Sequence, residues 1–141
     1  MGANISPISS NPKDKTRSYS KNAYLDPIIN NKYLKVITDA TVSRILTEKR
    51  DNGNVDGVAV EYNHNGKRYV ANANREIILA SGTIATPQIL ELSGIGSPDI
   101  LNKFGIDVVV NLPGVGSNLQ DHSYTTMTFE VDDNVENLDK V

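Results

Sequence analysis

The sequence predicts a mixed α/β chain, and three observations carry that prediction. A short apolar run, Arg75-Glu-Ile-Ile-Leu-Ala80, is followed by a glycine and a segment with helical apolar spacing. Upstream, segments of alternating polarity are separated by short polar turns. Downstream, a second glycine-rich stretch, Pro113 to His122 (PGVGSNLQDH), breaks the chain into a loop.

Positions 1–14 are rich in Asn, Ser and Pro without periodicity and read as loop. Thr16 to Leu25 is a candidate short helix, limited by Pro27. Tyr33 to Thr38 alternates as a strand does, and Asp39-Ala40 is a turn candidate. Thr41 to Glu48 reads as the next strand, with Val42 and Ile45 on opposite faces if alternation is strict. Asp51-Asn-Gly-Asn54 is a strong turn signal. Val55 to Tyr62 and Lys67 to Ala73 follow as strands around the turn Asn63-His-Asn-Gly66, so the region predicts an antiparallel meander.

The run Glu76 to Ala80 carries adjacent isoleucines and reads as a strand buried on both faces, as in a parallel sheet. Gly82 lets the backbone turn. Thr86-Pro87 reads as an N-cap with proline at the first helical position. Ile89, Leu90 and Leu92 supply the apolar face, Gly94 ends the helix, and Gly96 permits a second turn. Strand, glycine turn and helix is a geometry that holds an anionic ligand at a helix N-terminus; an ordinary structural turn fits the same local pattern. Ser97-Pro98-Asp99 opens a second helix through Lys103, ended by Gly105. Ile106 to Val110 reads as a short strand, and the alternation from Ser123 to Val131 as another.

Composition excludes several functions. The chain has no cysteine, so it has neither disulfides nor thiolate chemistry. A net charge of -3 gives no reason to propose nucleic acid. No apolar run approaches the ~20 residues a membrane span needs, and the polar N-terminus lacks the apolar core of a signal peptide. Asn4-Ile5-Ser6 is a glycosylation acceptor in the event of secretion. Six basic residues against two acidic ones occupy positions 1–35, and five acidic against one basic occupy 129–141; solvated ends account for both. The two histidines have no paired carboxylates at ligand spacing, so no metal site is expected. His64 reads as an exposed turn residue. There is no Ser-His-Asp set with a nucleophile elbow.

Taken together, Gly82-Thr83-x-x-Thr86-Pro87-x-Ile89-Leu90-x-x-Ser93-Gly94-Ile95-Gly96 and the later PGVGxNLQDH resemble the second signature region of the glucose–methanol–choline (GMC) oxidoreductases. These are FAD-dependent alcohol oxidases and dehydrogenases. Two separated motifs in the expected order are far more specific than a lone GxGxxG. Arg17-Ser18 with Ala23-Tyr24-Leu25, and Leu34 to Leu46, resemble the flanking family segments. The resemblance runs from about Gly2 to Phe129. Ser6-Pro7 and Arg17-Ser18-Tyr19-Ser20 suggest the aryl-alcohol and glucose oxidase branches.

The resemblance implies part of an FAD-binding two-dinucleotide-fold domain with an inserted antiparallel meander. The expected organisation is a partial domain over 1–131 (meander 33–73, strand-turn-helix 75–96, flavin-proximal loop 113–122) and an acidic tail over 132–141. The implied cofactor is FAD. The implied contacts are Val42 at the adenine, Ser81, Gly82 and Thr83 at the end of the buried strand, and Asn118, Asp121 and His122 beside the flavin. A buried strand valine explains Val42 equally well, and a hydrogen-bonded turn explains Asp121-His122.

Two parts of the family pattern have no counterpart here. One is the N-terminal Rossmann βαβ unit, whose GxGxxG turn holds the pyrophosphate. The other is the C-terminal region with the histidine that acts as general base on the alcohol. The expectation is therefore an internal portion of an FAD-dependent oxidoreductase acting on CH–OH donors, with no catalytic residue of its own. FAD affinity is expected to be weak or absent and alcohol oxidation absent. The alternative is a non-catalytic remnant or an accessory module requiring a separate chain. A small-molecule alcohol is the partner implied for the full enzyme; its identity and the oligomeric state are not legible.

Overall fold

This computed structural model describes residues 9–127 and residue 130. Its centre is a three-stranded antiparallel meander in the order β1-β2-β3: β1 Ala40–Lys49, β2 Val55–His64 and β3 Lys67–Asn72. Helix α1, Gly82–Leu92, packs on β1. A two-residue strand β4 (Ile95–Gly96), a helix α2 (Pro98–Lys103) and a second two-residue strand β5 (Val110–Asn111) complete it, with β4 and β5 paired in parallel.

The meander forms where turn chemistry brackets alternating residues. Asp39 enters β1 at φ +53°, which ends the preceding run. Tyr33 to Thr38 is consequently not a strand; with no ladder partner among the described residues its Val36 and Ile37 stay exposed. β1 pairs with β2 with two register shifts, one between Val42 and Arg44. That bulge corrects the expectation for Val42 and Ile45. Their partners are Tyr62 and Val60, two positions apart on β2, so the extra residue Ser43 puts Val42 and Ile45 on one face. On the central strand, Glu61 is buried and takes Arg44 of β1 (3.5 Å) and Arg68 of β3 (3.6 Å).

Arg75 to Ala80 departs from expectation. It belongs to no strand: Ile77 and Leu79 are half-buried, but Ile78 is 78 % exposed. An apolar run becomes a doubly buried strand only between neighbouring strands, and none adjoins it among the described residues. The helix after it also begins earlier than the Thr86-Pro87 signal indicated. Gly82, at φ +86°, starts α1, and Pro87 sits inside it. Gly94 ends α1 as expected, at φ +77°. Gly96 is no turn but a buried residue of β4. The Ile106–Val110 strand contracts to Val110–Asn111, because only two residues find a parallel partner.

Thr16 to Leu25 yields a single helical turn at Lys21–Leu25, followed by another at Asp26–Ile28 that includes Pro27. Residues 123–127 form no strand, having no pairing partner among the described residues. The rest of that segment at 128, 129 and 131, and the expected tail at 132–141, lie outside the described residues.

The core is small: Ile45, Ala59, Ile89, Leu101 and Val115 are the buried apolar residues described. One polar residue ties helix to sheet. Ser93, buried at the end of α1, donates its hydroxyl to Ile89 O (2.6 Å) and accepts the Ile45 amide of edge strand β1 (2.8 Å). Ser93→Ala leaves that buried amide without an acceptor and is expected to cost about 2 kcal/mol. Urea unfolding checks this: the midpoint should fall with the slope unchanged, and an unmoved midpoint refutes the role.

Candidate functional site

The site begins at the N-terminus of α1. Ser81 makes no side-chain cap; instead its own amide donates to Thr86 Oγ1 at 3.1 Å. The first amides of the helix therefore have neither an intrahelical partner nor a capping side chain, which leaves donors and the positive end of the helix dipole for an acceptor. Nothing lies within 4 Å of where a Gly82 side chain would begin, so a ligand has access to the backbone there. Pro87 has no N–H, so the Thr83 carbonyl lacks its usual helical partner.

Residues 115–120 fold back against this helix. Between them lies an open cleft of about 670 Å³ lined by Thr83, Gln88, Glu91, Asn118 and Gln120 among others. Asn118 stands at φ +56° and accepts a hydrogen bond from Gln120 Nε2 at 3.0 Å. Ser117 Oγ donates to Pro113 O at 3.0 Å and closes the loop on itself. Next along the chain, the His122 amide donates to Asp121 Oδ1 at 2.7 Å.

The structure thus brings Thr83 and Asn118 onto one cleft, with Ser81 and Gly82 immediately before Thr83. Asp121 and His122 follow the loop but do not line the cleft, and both are exposed. Val42 is half-buried on β1 and lines none of the described cavities. Gln88, Glu91 and Gln120 were not anticipated from sequence. Ile84, Pro87/Gln88 and Glu91 recur at three- to four-residue spacing, and that period is the signal that would have placed them on the face of α1 toward the loop. A second cavity of about 520 Å³, lined by Ile45, Gly57, Val58, Ile77, Leu79 and Leu90 among others, separates the meander from the unpaired 76–80 run. Among the described residues, no cluster of His, Asp or Glu is placed to hold a metal, and no helix is long and apolar enough to cross a membrane.

Residues 6–124 match the family model described as GMC oxidoreductase. The chain belongs to the GMC oxidoreductase family. Among GMC relatives, it is 47% identical over 121 residues to the GMC oxidoreductase family protein Mala s 12 of Malassezia sympodialis, covering 83% of this chain and 20% of that protein. It is 49% identical over 100 residues to mitochondrial choline dehydrogenase of Homo sapiens, covering 71% of this chain and 16% of that one. A solved FAD-dependent oxidoreductase from Chaetomium thermophilum superposes with TM-score 0.63 at 32% identity, over 70% of this chain and 16% of that structure. The chain spans about a fifth of the length of the curated relatives it matches.

Proposed function

We propose that this chain forms part of the FAD-binding domain of an oxidoreductase acting on CH–OH donors. The observation that carries the reading is the meeting of the uncapped α1 N-terminus with loop residues 115–120 on one cleft. The donor set suits the cofactor. Backbone amides at Gly82 and Thr83 serve anionic or carbonyl acceptors, and the Thr83 hydroxyl and Asn118 carboxamide both donate and accept. A bound flavin would supply the hydride acceptor for oxidation of an alcohol carbon. In this reading Ser81, Gly82 and Thr83 hold the cofactor from the helix end. Asn118 lies on the loop beside the flavin; Asp121 and His122, which follow the cleft, and the β1 backbone at Val42 at the adenine are assigned from the family resemblance and not from the cleft. No general base for the alcohol is assigned within the chain, so turnover belongs to an enzyme that includes the rest of the family pattern. The alternative, an accessory module joined by a separate chain, draws support from the unpaired 76–80 run.

The test is a fluorescence titration of FAD with the purified chain and with Thr83→Val and Asn118→Ala. Binding is expected to be weak or absent. Each variant should weaken it about fivefold, the loss of one neutral hydrogen bond of ~1 kcal/mol. Equal affinity in all three proteins would remove the cleft from the cofactor site. Alcohol-dependent dye reduction by the chain alone would overturn the assignment of turnover to an enzyme that includes the rest of the family pattern.

A further inference from the structure

The sequence contains two Asn-Gly steps, Asn52-Gly53 and Asn65-Gly66. At such a step the glycine nitrogen swings toward the preceding side chain with no Cβ in its way. The fold treats the two steps differently. The Gly53 amide donates to Arg50 O at 2.9 Å, and the Asn52 carboxamide oxygen accepts the Asn54 amide at 3.0 Å. Attacking nitrogen and target carboxamide are both held elsewhere.

Asn65 and Gly66 form the two-residue turn between β2 and β3, at φ +50° and +72°, and both are exposed. The Gly66 amide makes no backbone hydrogen bond among the described residues, and nothing lies within 4 Å of where its Cβ would be. Asn65 Nδ2 lies 3.0 Å from Nε2 of His64. The other ring nitrogen, Nδ1, is 3.3 Å from the Asp39 carbonyl oxygen. A carbonyl only accepts, so Nδ1 carries the hydrogen and Nε2 is left to serve Asn65. An imidazole nitrogen that accepts a hydrogen bond can also take a proton from water and pass it on, so Nε2 can relay one to the departing Nδ2.

We propose that Asn65-Gly66 is a self-modification site at which His64 assists the departing nitrogen. The Gly66 backbone nitrogen bonds to Asn65 Cγ, and the Cγ–Nδ2 bond breaks. The Gly66 amide proton goes to solvent. Nδ2 takes one proton from the His64 ring and leaves as ammonia, and water restores the ring's proton. The resulting five-membered imide adds one water at either carbonyl, giving aspartate or β-linked aspartate. No oxidant or reductant is involved. The product sets a carboxylate beside Lys67 and Arg68. In its β-linked form it also lengthens a turn whose two-residue length fixes the β2–β3 register.

Incubation of the intact chain at neutral pH, followed by cleavage after glutamate, tests this. The cut after Glu61 puts the two steps on different peptides, and mass spectrometry with an assay for β-linked aspartate reads each. Asn65 should convert several-fold faster than Asn52. His64→Gln keeps an acceptor for Nδ2 but supplies no ionisable proton, so it should slow Asn65 several-fold and leave Asn52 unchanged. Conversion of Asn52 as fast as Asn65 would overturn the site. Equal Asn65 rates in the parent chain and His64→Gln would overturn the part given to His64.

Discussion

Gly94→Ala is expected to cost about 3–4 kcal/mol, a large fraction of the roughly 5–15 kcal/mol that holds a domain together. Two independent costs add. Alanine at φ +77° is strained by about 1–2 kcal/mol. Its Cβ would also stand 2.5 Å from Asp107 O and 2.7 Å from Val109 Cγ2, an overpacking of about 1–3 kcal/mol. The Asp107 atom is backbone, and it has little room to move. Gly94 O accepts the amides of both Val109 (2.8 Å) and Val110 (3.0 Å), so the approach that creates the clash also builds the entry to β5. Gly105→Ala is the control. That residue has φ +66° with nothing within 4 Å of its Cβ position, so only the strain applies. Urea midpoints should fall much further for Gly94→Ala than for Gly105→Ala; equal falls would show that the close approach contributes nothing.

Leu101→Ala is expected to cost about 3 kcal/mol. Leu101 is fully buried, with 0% exposure. Its neighbours include Gly96, whose Cβ position lies 3.7 Å from Leu101 Cδ2. α2 has six residues, too few to persist without tertiary support. The Leu101 carbonyl also accepts the amides of Phe104 and Ile106. Loss of the side chain should therefore release the segment 97–106 while the meander, which shares few contacts with it, stays folded. Hydrogen exchange resolves the two: protection should fall in 97–106 and persist in 40–72. Loss of protection in both at once would mean that the chain unfolds as one unit. Leu101→Met, nearly volume-conserving, should cost less than about 1.5 kcal/mol.

The elements legible in the sequence are those fixed by their own residues. Asp51–Asn54 and Asn63–Gly66 mark the two hairpin turns, Gly94 and Gly105 the helix ends, and Ser97-Pro98 the start of α2. Thr86-Pro87 misleads because its local preference for a helix start is real. Here the Ser81–Thr86 hydrogen bond and the positive φ of Gly82 begin the helix one turn earlier, and packing on β1 carries it through the proline. The Ser43 bulge is invisible to alternation, since a bulge is defined by the partner strand. The run Glu76–Ala80 reads as buried because isoleucines are usually covered; what covers them is a property of the assembly and not of the run. Thr83 and Asn118 stand out through family motifs, but their meeting on one cleft depends on how the loop after β5 returns to α1. Asp121 and His122 belong to the same motif, yet the chain carries them past the cleft.

The Ser93–Ile45 hydrogen bond has a further consequence in chain entropy. It joins residues 48 apart, whereas the closing pair of the β2–β3 hairpin, His64 and Lys67, lies three apart. On the logarithmic scaling of loop closure, bringing together the distant pair costs about 2.5 kcal/mol more than closing the near one. Hairpins of this length form within about 1–10 μs, long before such a loss is recovered by contacts not yet made. The edge of β1 is thus expected to form first and serve as the docking template on which α1 settles. The expected order of events runs from meander to helix, with the cleft beside α1 acquiring its shape last; folding kinetics of Ser93→Ala check this, since the variant should speed unfolding and leave the folding rate nearly unchanged.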